Sequence, residues 1–224
     1  MQNTSFNGTP SYSYGQSDVA LLHTILTAPN ATPNDLQMFL NAHPGILRQP
    51  QGALSTGGFT PLTVTLCKKL NGVFAQILLA NGADINERDG TLWTALHHAC
   101  MDAQTESVRF LLQNKASVTA VDSFGSTPLH CACYSGDLES VKMLVAAGAP
   151  LDATCSQGWT PLHYASMKDR TEVVRWLVNR DDEIGMDKRN AEGKLPVDMA
   201  KSGSETADEI DTAMLTSSIG SFSI

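Results

Sequence analysis

The chain has 224 residues, with 15 Lys+Arg against 23 Asp+Glu for a net charge of −8 and 42% hydrophobic residues, the balance of an ordinary folded protein. The deficit of basic residues argues against nucleic acid as a partner, since that affinity rests on Lys and Arg neutralising phosphates, and no segment approaches the roughly 18 apolar residues that membrane insertion needs. Five scattered cysteines, an odd number without a basic, apolar leader, imply reduced thiols and a cytoplasmic or nuclear protein rather than a disulfide framework.

In chain order, residues 1–16 are rich in Ser, Tyr and Gly and are expected to form a flexible tail. Residues 17–54 read as a degenerate helical pair that caps one end, with Asp18 to Leu26 as its first member and Pro33 to Asn41 as its second. Thr32-Pro33 is the start signal of the second helix, and Asp35 stands three residues after Thr32, where a capping-box partner belongs.

From there the chain repeats itself. "FTPLTVTL", "WTALHHAC", "STPLHCAC", "WTPLHYAS" and "KLPVDMAK" align on Pro61, Ala95, Pro128, Pro161 and Pro196, with steps of 95−61=34, 128−95=33, 161−128=33 and 196−161=35. A second marker keeps phase with the first: "ILLANGADIN", "FLLQNKASVT", "MLVAAGAPLD" and "WLVNRDDEIG". A fixed period of this length signals a stack of repeats. Thr60, Thr94, Thr127 and Thr160 each offer a helix-capping hydroxyl, and in three copies a proline follows in the first turn, where no backbone N–H is needed. In the second helix of the clearest copy, Val141, Leu144 and Val145 fall at i, i+3 and i+4, and Gly148 follows as a stop. One such unit cannot bury its stripe alone, so neighbours must stack. The units run 55–88, 89–121, 122–154 and 155–189. Residues 190–216 form a C-terminal cap, with Ala207, Ile210 and Met214 on one face and Glu205, Asp208, Glu209 and Asp211 turned to water. Residues 217–224 form a second flexible tail, in which Phe222 and Ile224 alternate as a strand-adding terminus would. The fold class is an all-α solenoid of about six helix-turn-helix repeats, both caps included.

At these residues the sequence resembles the ankyrin-repeat family, whose unit is a turn followed by two antiparallel helices and whose pattern is T-P-L-H-x-A at a period near 33. The copy at 122–154 follows that pattern almost throughout. Others depart from it: Leu92 stands where a turn glycine is expected, Thr63 replaces the motif histidine, and "NRDDEIGMD" carries two extra residues. The resemblance implies a non-enzymatic protein–protein interaction module, an adaptor, scaffold or inhibitor, monomeric outside its complex and binding through a concave groove and the turn tips. It also implies that the motif histidine braces its turn through the motif threonine. Leu78, Asp84, Ile85 and Asn86 resemble the sites of an asparaginyl hydroxylase that acts on such repeats; the plainer reading is that Asn86 hydrogen-bonds within its turn. The alternative function is a permanent subunit or assembly chaperone of a larger complex.

Chemistry is sparse. His130, Cys131 and Cys133 lie within four residues, but residues two apart on a helix diverge by about 200°, so the two cysteines cannot share an ion. His97/Cys100 and His130/Cys133 occupy equivalent columns of adjacent repeats, which leaves a two-His, two-Cys zinc set, and with it a metal-dependent enzyme, as a minor alternative. The next copy carries His163 with Ser166, a column that tolerates a non-ligand. A Cys100–Cys133 disulfide is disfavoured, since helices packed about 8–10 Å apart exceed the usual reach of about 7 Å. No nucleotide, metalloprotease or nucleophile motif is present, so no catalytic residue, metal or cofactor is expected. The candidate partner-binding residues follow from helix geometry. Four residues after the motif threonine stand His98, Cys131 and Tyr164, and seven residues after it stand Met101, Tyr134 and Met167, on one face, while the core leucines Leu96, Leu129 and Leu162 lie on another. Trp93 and Trp159 precede the threonines and Phe124 sits near a turn tip, adding aromatics of the type that anchors interfaces.

Overall fold

The computed structural model describes residues 16–48, 59–67, 72–180 and 184–220, with backbone alone at 16–17, 48 and 217–220. These residues form twelve α-helices: α1 (Gln16–Thr27), α2 (Pro33–Ala42), α3 (Pro61–Cys67), α4 (Gly72–Ala80), α5 (Ala95–Met101), α6 (Thr105–Gln113), α7 (Pro128–Ser135), α8 (Leu138–Ala146), α9 (Pro161–Met167), α10 (Thr171–Val178), α11 (Pro196–Met199) and α12 (Glu205–Gly220). They pair along the chain. The first members pack in one layer, α1 on α3 on α5 on α7 on α9 on α11, and the second members in another, α2 on α4, then α6 on α8, α8 on α10 and α10 on α12. The chain is an all-α repeat solenoid.

The helix starts follow from local chemistry. Thr32 and Asp35 close a reciprocal capping box: the Asp35 N–H donates to the Thr32 hydroxyl at 3.2 Å and the Thr32 N–H donates to the Asp35 carboxylate at 2.8 Å. Those bonds hold the Asp35 carboxyl below the usual carboxylate range. Thr160 caps α9 through the His163 N–H, and Thr60 caps α3 through the Thr63 N–H, both at 3.3 Å. In α11, Leu195 takes the threonine position, and the Asp198 carboxylate compensates by accepting the Leu195 N–H at 2.8 Å. The long second helices end on glycine where the pattern places one, as at Gly82 and Gly148, both at positive φ.

The core is one continuous column. Leu62, Leu96, Leu129 and Leu162, one per repeat, are fully buried together with Leu78, Leu111, Leu144 and Leu177 from the second helices. Each buried leucine contributes about 2 kcal/mol of apolar transfer, and it does so only because a neighbouring repeat covers it. At the C-terminal end Ile210 of α12 is fully buried, with Ala207 and Met214 partly so. On the acidic side of α12, Glu205, Asp208 and Asp211 are exposed and Glu209 is half-buried; Glu205 and Glu209 both pair with Arg175 of α10, which also binds Glu172. Of the expected second tail, residues 217–220 continue α12 as helix, which corrects the end of the cap at 216; residues 1–15 and 221–224, Phe222 and Ile224 among them, and 181–183 beside the two-residue insertion lie outside the described residues.

Candidate functional site

Four turns preceding first helices, those before α5, α7, α9 and α11, are described in full. In each, a backbone pair closes a tight hairpin: the N–H of Asp89, Asp122, Cys155 and Asn190 donates to the carbonyl of Trp93, Ser126, Trp159 and Lys194, at 2.9 to 3.0 Å. A side-chain oxygen then fastens the tip from inside. Asp89 accepts the N–H groups of Thr91 and Trp93, Asp122 those of Phe124 and Ser126, and Asn190 those of Glu192 and Lys194. Cys155 occupies the same place in the turn before α9 and offers no such acceptor. Tips also join tip to tip: Ser123 N–H to Thr91 O, Ser156 N–H to Phe124 O and Ala191 N–H to Gln157 O. At the glycine position of these turns φ is +77° for Gly125 and +73° for Gly158, and Leu92 adopts the same left-handed conformation at +64°.

The motif histidines are structural bridges. Nδ1 of His97, His130 and His163 accepts the backbone N–H of its own Thr94, Thr127 or Thr160, which fixes the remaining proton on Nε2. Nε2 then donates into the next repeat, to Ser126 O at 3.1 Å, Trp159 O at 3.0 Å and Lys194 O at 3.1 Å. Burial drives His97 and His130 down to about 4 and lowers His163 as well, so the bridging tautomer stays neutral. With both ring nitrogens engaged, His97 and His130 have no lone pair left for an ion, and among the described residues no group of three or more His, Cys, Asp and Glu gathers as a metal set would. The thiols of Cys100, Cys131 and Cys133 are buried and pushed well above their ordinary range, and Cys67 is raised to about 12.

The face between first helices and tips carries the rings. Trp93 packs on His98 at 4.8 Å between centroids, and Phe59 packs on the other side at 5.1 Å. The His98 imidazole meets the buried Asp89 carboxylate at 2.7 Å. Burial raises the Asp89 carboxyl, and the bonds from His98, Thr91 and Trp93 outweigh it, leaving the group below its ordinary value. The Trp93 indole N–H donates to Asp122 across the repeat boundary at 3.1 Å. Two repeats further on, Trp159 packs on Tyr164 at 5.2 Å, Tyr164 meets Tyr134 of the intervening repeat edge-on at 6.2 Å, and the Lys168 ammonium lies 4.4 Å over the Tyr134 ring. Met101 and Met167 are half-buried on the same face. Phe124, at the tip, is 66% exposed beside two further apolar tip residues, Leu92 at 42% and Val121 at 40%.

Three expectations need correction. Cys131 does not line an accessible groove: it is 3% exposed, because a short thiol at that helix position stays at the floor where His98 and Tyr164 are long enough to reach out. Tyr164 is also less free than expected, since it is half-buried and its ring packs edge-on against His130 at 5.5 Å. Asn86 is half-buried, and its side-chain oxygen accepts the Ser117 N–H of the next repeat at 2.8 Å, a bridge between turns rather than within one. Leu92 and Val121 were missed. The signal was available for Leu92, a large apolar residue in a turn position that requires positive φ.

The family model for ankyrin repeats (3 copies) matches residues 25–122 and 115–190. The chain belongs to the ankyrin-repeat family. Among curated proteins nothing matches it. Ankyrin repeats are generally protein-interaction modules and typically non-enzymatic, and no described helix of this ankyrin chain is long and apolar enough to cross a membrane.

Proposed function

We propose that this protein is an adaptor, scaffold or inhibitor that binds one partner protein against the ring-lined face of α5, α7 and α9 and the tips beside it. The observation that carries the reading is the exposed apolar group at two adjacent tips, Leu92, Val121 and Phe124, continuous in sequence register with Trp93, His98, Met101, Tyr134, Trp159, Tyr164 and Met167. Apolar surface of this kind on a monomeric protein marks an interaction site, and aromatic anchors with adaptable methionines are the residues that carry interface energy. Cys131 drops out of that set. The chain is read as monomeric outside its complex. Buried thiols held in their protonated form suit a reducing compartment, cytoplasm or nucleus.

The test is affinity capture with the native chain and with Phe124→Ala and Tyr134→Ala side by side. A partner that binds here should lose about 1 kcal/mol or more of affinity for each variant while the unfolding midpoint stays put. Full retention of the partner by both variants refutes the surface. A permanent subunit or assembly chaperone is the second role, and size exclusion of endogenous protein separates them: a permanent subunit never elutes free.

A further inference from the structure

Charge is distributed unevenly along the face of α5, α7 and α9. Eight residues after the motif threonine, at equivalent positions of these three helices, stand Asp102, Ser135 and Lys168. One column therefore runs from negative over α5, through neutral over α7, to positive over α9. Among the described residues neither the Asp102 carboxylate nor the Lys168 ammonium has an ion-pair partner. The remaining carboxylates of the same segments are committed within the chain. Asp89 meets His98, Asp122 accepts the N–H groups of Phe124, Ser126 and the Trp93 indole, and Asp137 accepts the hydroxyls of Thr105 and Ser140. Thr206 and then Ser204, at the start of α12, hold the Asp169 carboxyl below its ordinary value, so it serves the next repeat rather than Lys168.

The positive end is built around Tyr134. Lys168 is half-buried, with its ammonium 4.4 Å over the Tyr134 ring. Arg170 reaches the same residue from the other side, its Nε–H donating to Tyr134 O at 3.0 Å. Its stem crosses Gly136 so closely that a Cβ there would lie 2.6 Å from the Arg170 Cδ. Two cations from α9 and the start of α10 are thus held against one ring-bearing residue of α7, and no carboxylate of the chain neutralises Lys168. The chain as a whole carries −8, so its overall field repels an acidic segment. Only a local seat of this kind can select one.

We infer, resting on the reading that this face is the docking surface, that the partner segment bound there is acidic at one end and seats a carboxylate on Lys168 beside Tyr134. Arg170 adds positive field at the seat. Two helix-to-helix steps of about 8–10 Å separate Lys168 from Asp102, so the acidic end is drawn to α9 and turned away from α5 by like charge. The rings and the apolar tips supply contact area without direction, and the charge column supplies the direction.

A display library of random peptides selected on the purified full chain supplies the probe. Enriched peptides should carry Asp or Glu beside apolar or aromatic residues, against the negative field of the chain. Lys168→Met, which keeps the stem over the Tyr134 ring, should lose the acidic enrichment, and Lys168→Glu should turn it to Lys and Arg. For one enriched peptide, its Asp→Asn change and Lys168→Met should each weaken binding about fivefold at low salt, and together no more than either alone. Lys142→Met, an exposed cation on α8, should show no such coupling. Hydrogen exchange with the peptide bound separates the two levels of the reading. Protection at 89–101, 121–134 and 154–167 without acidic enrichment, or with additive effects of the two changes, overturns the carboxylate seat and leaves the docking face standing. Protection confined to 105–113, 138–146 and 171–178 overturns the face itself. Enrichment of basic peptides, or of none, also overturns the seat.

Discussion

Replacing His130 with alanine tests the bridge on which the stack depends. The ring is 1% exposed; its Nδ1 accepts the Thr127 N–H at 3.0 Å and meets the Thr127 hydroxyl at 2.9 Å, and its Nε2 donates to Trp159 O at 3.0 Å. Alanine removes all three. The Trp159 carbonyl keeps the Cys155 N–H, so its loss is one ordinary bond, about 1 kcal/mol. Thr127 fares worse, because its N–H is left without a partner in a buried turn, a desolvation penalty of about 1–3 kcal/mol. The vacated ring volume adds to this, against which Tyr164 packs edge-on. The expected total is about 4 kcal/mol, a large share of the 5–15 kcal/mol that holds an ordinary domain. Equilibrium urea unfolding measures it, and because the bridge joins two repeats the single transition should broaden or split as the halves uncouple. A loss below about 1 kcal/mol, with the transition as sharp as before, would show that the histidine is incidental and that apolar packing alone couples the repeats.

Leu92→Gly should stabilise the chain by about 1 kcal/mol, since an L side chain at φ +64° carries a left-handed penalty that glycine lacks; an unchanged or lower thermal midpoint contradicts this. His97 and His130, held near 4, give stability that is fully present above their ordinary 6.5 and is lost as pH falls towards 4. In a Glu87→Gln background, which removes a carboxyl that burial raises to about 7 and that therefore works in the opposite sense, chemical-denaturation stability should decline by several kcal/mol between pH 7 and pH 4, and a flat profile would refute the neutral-bridge assignment. Asn86→Ala should cost about 1–2 kcal/mol by leaving the Ser117 N–H unmet. A hydroxylated Asn86 would appear as one added oxygen on its peptide from animal cells, and its absence there removes that modification.

Much of this architecture is legible in one sequence because repetition multiplies weak signals. Thr-Pro starts, the glycine stops and the column of Leu62, Leu96, Leu129 and Leu162 each recur at one period, so a local propensity becomes a global constraint. The capping box of Thr32 and Asp35 is readable for the same reason: its partners are three residues apart. What the sequence hides depends on distances between elements. Arg175 draws Glu205 and Glu209 from α12 although 30 and 34 residues separate them, and no spacing rule reports that. Cys131 shares a helical face with residues that reach the surface, yet side-chain length decides exposure on a concave floor. Glu87 sits in a turn that reads as polar and solvated, yet it is 7% exposed, and no local spacing announces that.

A partner protein docked on the ring-lined face and its tips would shield those segments from solvent. Hydrogen exchange of the chain with and without its captured partner measures this most directly. Added protection is expected in peptides covering 89–101, 121–134 and 154–167, with 105–113, 138–146 and 171–178 unchanged. Protection confined to those last three, the second helices α6, α8 and α10, would contradict it.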